Sequence, residues 1–278
     1  MFKGFNLKTT ESLEWILKNN NSYTEILEKN KNTVFKSIED HIRNDKFLDG
    51  QSIMSDWFPE NKNIHVFISH SHKDIKLAEN LANWLYENFQ ITSFLDSHIW
   101  NYSNDLLKIL DDKYAKDAFS SSYIYEVRNE TTSHVHMMLS SALNQMIDNC
   151  EALFFLNTDN AIENNILSSN TNEDRTASPW IMSELLTSSL IESKQNIKRK
   201  TFITESIVAG ESRDLEKCAK LNISYPVKMQ HLINLDLSDL SAFSSEAKNH
   251  RGYNALTVLY NSFADCRFDT SKSLESMY

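Results

Sequence analysis

Short apolar runs alternate with amphipathic helical stripes from residue 65 onward, and that alternation most restricts what this chain can fold into. Val66-Phe67-Ile68, Ile91 to Leu95, Ala152 to Leu156, Thr201-Phe202-Ile203 and Leu232 to Leu235 have the length and apolar character of buried strands. Between them, Leu77, Ala78, Leu81, Ala82 and Leu85 recur at helical spacing, as do Val135, Met138, Leu139, Ala142, Met146 and Ile147. Strand and helix in alternation imply an α/β fold, a parallel sheet of about five strands flanked by helices. Asp74 and Ser133 are expected to cap the helices that follow them.

The rest of the chain is assigned around that pattern. Residues 1–62 are polar and read as a helical N-terminal extension, with Leu13, Ile16 and Leu17 at helical spacing and Ile26, Phe35 and Ile38 more loosely so. Residues 63–240 form the α/β domain. Within it, 96–104 reads as a polar and aromatic loop ahead of a helix near Asp105, and 116–133 as an insertion without periodicity. A short helix is expected near Asp214 to Ala219. Residues 241–278 are a C-terminal helical extension, with Ala255, Leu256, Leu259 and Phe263 marking its helix.

Several function classes are disfavoured by composition. The formal net charge of -10 argues against broad phosphate-backbone binding, so no nucleic acid partner is expected. No apolar run approaches the ~20 residues that span a bilayer, and the N-terminus lacks the shape of a signal peptide. Three widely spaced cysteines, Cys150, Cys218 and Cys266, fit a reducing cytoplasm. The only four glycines, Gly4, Gly50, Gly210 and Gly252, are far apart, which excludes a Gly-rich dinucleotide turn and a phosphate loop. Gly-x-Ser-x-Gly is also absent, so no nucleophile elbow is expected. The pairs His70/His72 and His134/His136 lack a third ligand, and no metal site is expected.

Two stretches carry candidate chemistry. His65-Val66-Phe67-Ile68-Ser69-His70-Ser71-His72-Lys73-Asp74 reads as a strand running into a polar turn, where α/β folds bind ligands. Ser69 and His70 would either cap that turn or contact phosphate and ribose. Ser178-Pro179-Trp180-Ile181-Met182-Ser183-Glu184-Leu185 reads as a helix start that places Trp180 and Glu184 on one face. At ~100° per residue that face points away from an apolar stripe of Met182, Leu185, Leu186 and Leu190, toward solvent or a cleft. Trp180 could stack on a base or fill the core. Asp96 could orient a helix or a ribose, and Trp100 could cover a nucleotide or anchor its loop.

These two stretches, together with Ser93-Phe94-Leu95-Asp96-Ser97-His98-Ile99-Trp100, resemble the Toll/interleukin-1 receptor (TIR) domain, over roughly residues 63 to 235. The chain most resembles the bacterial antiphage-defence (Thoeris-type) members. The resemblance implies a flavodoxin-like sheet of order 2-1-3-4-5 and cleavage of the nicotinamide–ribose bond of NAD+. Glu184, in a Trp-x-x-x-Glu pattern, takes the place of the catalytic glutamate. Ser69, His70, Phe94, Asp96, His98, Trp100, Trp180 and Ser183 are implied to surround the substrate. NAD+ would be the substrate rather than a resident cofactor. An ADP-ribose-derived signal read by a separate effector, and self-association, are further implications. A non-catalytic TIR scaffold and a simple NAD-depleting hydrolase are the alternatives, and a third is a flavodoxin-like small-molecule binder outside the TIR family, which loss of the 2-1-3-4-5 order would favour. The loop after the second strand lacks the glycine common in the family.

Overall fold

The apolar runs do form a parallel sheet, but one of its strands comes from a part of the chain with no visible strand signal. The computed structural model describes residues 3–8, 23–25, 38–43, 47–58, 63–120, 122–163, 174–191 and 223–263. Strand β1 is Lys3–Lys8. Two short strands, β2 (Ile42–Arg43) and β3 (Phe47–Leu48), pair with each other and precede helix α1 (Gly50–Trp57). Then follow β4 (Val66–Ser69), α2 (Ile75–Phe89), β5 (Ser93–Leu95), α3 (Ser97–Leu110), α4 (Tyr125–Asn149) and β6 (Ala152–Asn157). The strand β7 (Arg175–Thr176) leads into α5 (Pro179–Leu190) and pairs with β8 (Tyr225–Pro226). The chain continues through β9 (Leu232–Leu235), α6 (Leu237–Glu246) and α7 (Tyr253–Ser262).

The main sheet has the order β5-β4-β6-β1-β9, and all its pairs are parallel. The α/β class therefore stands, with a five-stranded parallel sheet flanked by helices. The start of the expected N-terminal helical extension needs correcting, because Lys3–Lys8 is a strand inside the sheet. Counted from residue 63, the order runs second, first, third, then β1, then β9. The fourth place of a 2-1-3-4-5 order is thus held by β1. Thr201-Phe202-Ile203, expected as the fourth strand, lies outside the described residues, as do the expected helix near Asp214 and Leu13, Ile16, Leu17, Ile26 and Phe35.

Alternation along each strand splits the core into two layers. Phe67, Leu153 and Phe155 point to one face, where α1, α3, α4 and α5 pack through Trp57, Leu106, Leu139 and Leu185. Phe5, Leu7, Val66, Ile68, Phe154 and Leu156 point to the other, under α2, α6 and α7. The helices after residue 236 thus belong to the core, through Phe243, Leu256 and Leu259. Gly4 permits the close approach of β9: a Cβ there would lie 2.4 Å from Leu232 Cδ2. At the open edge of β5, the Tyr23 hydroxyl donates to the Ser93 carbonyl at 2.7 Å and accepts from the Ser93 amide at 2.9 Å. A side chain thereby satisfies the edge that a further strand would otherwise cover.

Four local expectations are corrected. The segment expected as a loop over 96–104 is helical, since α3 begins at Ser97 directly after β5, capped by the Asp96 carboxylate on the Ser97 amide. The missing glycine follows from this, since a helix has no use for one. The second half of the segment 116–133 is helical as well: Lys116 bridges to Tyr123, and α4 starts at Tyr125. Ser133 sits inside α4 with its hydroxyl on the Asn129 carbonyl and caps nothing. Asp74 makes no cap bond either, because its carboxylate is taken by Thr158 and Asn160.

If β1 is a central strand, Phe5 is a core residue. Phe5→Ala should then destabilise the protein by about 3–5 kcal/mol. Urea unfolding measures this, and a loss below about 1 kcal/mol would contradict the placement of β1.

Candidate active site

The carboxyl ends of β4 and β5 meet the start of α5, and most of the candidate residues gather there. Ser69 ends β4 and is fully buried. Its hydroxyl donates to Glu184 Oε2 at 2.6 Å. Glu184 is reached from α5, whose buried residues are Ile181, Glu184, Leu185 and Ser188. That corrects the expected orientation, because Glu184 lies on the buried stripe and is 2% exposed. Leu186 and Leu190 face outward instead. The helix is apolar on more than one face, so hydrophobicity alone does not select the buried one. Ile181 and Leu185 enter the core from the same face, and the Ser69 hydroxyl gives the buried Glu184 carboxyl a partner there.

His70 follows Ser69 and is buried. Its Nδ1 lies 3.1 Å from Asp96 Oδ1 and 3.1 Å from the Ile68 carbonyl oxygen. Its Nε2 lies 3.1 Å from Ser97 Oγ. Asp96 is buried too, and its Oδ1 also accepts from the Ser97 amide at 2.7 Å. Two carboxyl groups therefore share one dry region, with Ser69 and His70 as hydrogen-bond partners. Burial pushes the Glu184 carboxyl well above the ordinary range, and the neighbouring Asp96 charge raises it further, against the Ser69 hydrogen bond. Burial also raises Asp96, with His70 and the Ser97 amide opposing it. Glu184 is thus the member that holds a proton more firmly. Its Oε1 is buried without a hydrogen-bond partner.

A cavity of about 300 Å³ opens over these residues, lined by His70, Ser71, His72, Asp96, Ser97, Ser178, Pro179 and Trp180. Ser178 caps α5 through the Ile181 amide and Pro179 occupies its first turn, which sets the wall that Trp180 extends. Trp180 is half-buried, edge-on to His136 at 6.0 Å. On the β6 side, Asp74 accepts from Asn160 at 2.7 Å and from Thr158, tying the loop after β6 to the turn after β4.

Of the expected site residues, Ser69, His70, Asp96 and Glu184 form one connected cluster, and Trp180 stands at the cavity wall. Ser69 and Glu184 lie behind the cavity and do not line it. Phe94 is half-buried and packs against the core, stacked on Phe67 with ring centroids 5.3 Å apart, and does not line the cavity. Ser183 is half-buried and outside the lining. The backbones of His98 and Trp100 lie in the first turn of α3, and their side chains fall outside the described part of the structure. Sequence reasoning did not select Ser71, His72, Ser97, Ser178 and Pro179 as site residues. The Ser-Pro helix start was a usable signal for two of them. Among the described residues no three His, Cys, Asp or Glu side chains gather as metal ligands, and no helix is long and apolar enough to cross a membrane.

No protein family, no curated protein and no solved structure matches the chain.

A carboxyl group raised by burial favours the fold while it is neutral. Its contribution is complete below the ordinary value of 4.5 and declines as pH rises toward its raised folded value. Glu184→Gln keeps an acceptor for Ser69 and removes that ionisation. Its melting temperature should match that of the wild type near pH 4 and exceed it increasingly as pH rises. A constant difference across that range would show that Glu184 is not held neutral.

Proposed function

We propose that the chain is a TIR-type enzyme that cleaves the nicotinamide–ribose bond of NAD+ at the cavity over β4 and β5. The observation that carries the reading is Glu184, placed by α5 on Ser69 at the end of β4 and beside Asp96 and His70. In this reaction the C–N bond breaks, its electron pair leaves with nicotinamide, and positive charge develops on the ribose. A carboxylate close to that centre stabilises the charge. The cationic pyridinium of the substrate favours the ionised form of a carboxyl beside it, so binding would expel the proton that burial holds on Glu184. Trp180 supplies an aromatic face at the mouth.

Two features set conditions on the reading. Glu184 lies behind the cavity, so the Ser69–Glu184 bond has to open when the substrate enters. The strand order departs from 2-1-3-4-5 at the place held by β1, so support comes from the site and not from the topology. On this reading the product is an ADP-ribose-derived nucleotide, cyclic or conjugated, read by a separate effector in antiphage defence. The protein acts in the cytoplasm and self-associates, and NAD+ is its substrate.

A second reading, a non-catalytic TIR scaffold, is favoured by the enclosure of Glu184, which at 2% exposure can serve as a buried structural group.

Chromatography and mass spectrometry of the purified protein with NAD+, at several protein concentrations, separate the two. The enzyme releases nicotinamide, and Glu184→Gln lowers the rate about 10²-fold or more. The mass of the second product distinguishes a signal nucleotide from plain ADP-ribose, the mark of a depleting hydrolase. Release that is unchanged in Glu184→Gln removes Glu184 from the mechanism. No release in lysate of infected cells favours the scaffold.

A further inference from the structure

We propose that Ser97, His70 and Asp96 form a nucleophilic relay, and that the cavity they line hydrolyses small esters through an acyl group carried on Ser97. The inference stands on the hydrogen bonds of the His70 ring and on the cavity, and it is independent of NAD+ cleavage.

The tautomer of His70 follows from its neighbours. The Ile68 carbonyl oxygen can only accept, and it lies 3.1 Å from Nδ1. Asp96 Oδ1 lies 3.1 Å from the same nitrogen. Nδ1 therefore carries the hydrogen and points it at these two acceptors. In the neutral ring Nε2 then holds the lone pair, and the partner 3.1 Å from it is Ser97 Oγ. The Ser97 hydroxyl donates to His70, and His70 donates to Asp96. This is the bonding order in which an imidazole takes a proton from a serine while a carboxylate orients the ring. Asp96 is a positioning residue here, since it acts through His70.

The surroundings suit such a relay. All three residues are buried, yet all three border the cavity of about 300 Å³. Ser97 opens the 14-residue helix α3 immediately after β5, with Asp96 as the single turn residue between them. A strand, a tight turn and a helix start present a serine at the carboxyl edge of a sheet. The usual Gly-x-Ser-x-Gly pattern is not needed, because a relay is defined by geometry and roles. Trp180 and Pro179 give the cavity an apolar wall for an acyl chain. Its volume is at the small end of ligand sites, which limits the acyl group to a short or single-ring one.

The chemistry balances with water as co-reactant. Ser97 Oγ bonds to the ester carbonyl carbon as its proton passes to His70 Nε2. The carbon–oxygen bond to the alcohol breaks, and the alcohol leaves with that proton. Water then attacks the acyl–Ser97 ester and gives a proton to His70. The bond to Ser97 breaks, Ser97 Oγ regains the proton, and a carboxylic acid departs.

The test uses the full chain without NAD+. A fluorophosphonate probe should add once to the folded protein, with peptide mapping locating the adduct on Ser97. Ser97→Ala should abolish the adduct and His70→Gln should slow it about 10²-fold or more. With p-nitrophenyl acetate, a burst of nitrophenol should accompany acylation. Asp96→Asn should lower kcat about 10²-fold or more with KM held, because the ring loses its orientation and not its substrate site. Wild-type protein that stays unlabelled while its circular dichroism is that of a folded α/β protein overturns the proposal. So does a Ser97 adduct formed at the same rate in folded His70→Gln. Neither outcome involves nicotinamide release, so failure here and failure of the NAD+ reading are told apart.

Discussion

Strand β1 is hydrogen-bonded along both edges, over six residues to β6 and four to β9. Among the described strands β9 pairs with β1, so β1 is what joins it to the rest of the sheet; the two helices that follow also pack on α2, through Phe243 on Phe89. Phe5 stacks on Phe154 and on Tyr260, with centroid distances of 5.1 and 6.1 Å, so the same six residues also hold α7 against the sheet. The arrangement closes a long loop of chain, because the first strand pairs with elements more than 140 residues away. Such non-local pairing costs loop entropy before it returns contacts. Gly4 relieves the crowding at the β9 contact, where a side chain would strike Leu232.

The site is organised by the burial of charge. Two carboxyl groups, Asp96 and Glu184, sit in a region almost without solvent, where a charged form is penalised unless it is paired. Asp96 has His70 and the Ser97 amide as partners, so it is the member suited to carry charge. Glu184 has the Ser69 hydroxyl and stands beside the Asp96 carboxyl, an interaction that raises Glu184 and lowers Asp96, so Glu184 is the member suited to keep a proton. Environments that push two acids apart in this way are the usual means by which one site assigns separate roles to like residues. The same cluster orients His70 toward Ser97 and holds Glu184 behind the cavity. NAD+ cleavage therefore calls for a rearrangement at Ser69, whereas the serine relay uses the bonds as they stand.

The frame around the cavity limits how the site can move. Asp74, Thr158 and Asn160 tie two strand-end loops together on the β6 side. On the other side, α3 is continuous with β5 through Asp96 alone. Farther along α3, Asp111 accepts from Arg128 at 3.2 Å and from Thr131, which fixes the start of α4 to the end of α3.

The sequence alone determined the α/β class and four of the five strands of the main sheet, β4, β5, β6 and β9, because buried parallel strands are apolar over their whole length; it also singled out Ser69, His70, Asp96, Glu184 and Trp180, which the fold gathers at one end of the sheet. It did not reveal β1: Lys-Gly-Phe-Asn-Leu-Lys has only two large apolar residues, and its identity as a strand depends on neighbours far along the chain. It misjudged the face of α5, since more than one face is apolar and the core takes Ile181 and Leu185, which carries Glu184 inward onto the Ser69 hydroxyl. It left Ser97 unnoticed because a relay is a spatial relation between residues 27 positions apart, brought together when two strands end side by side. Local pattern records which segments are apolar, whereas long-range pairing and charge burial, which decide partners and orientation, exist only once the chain has folded.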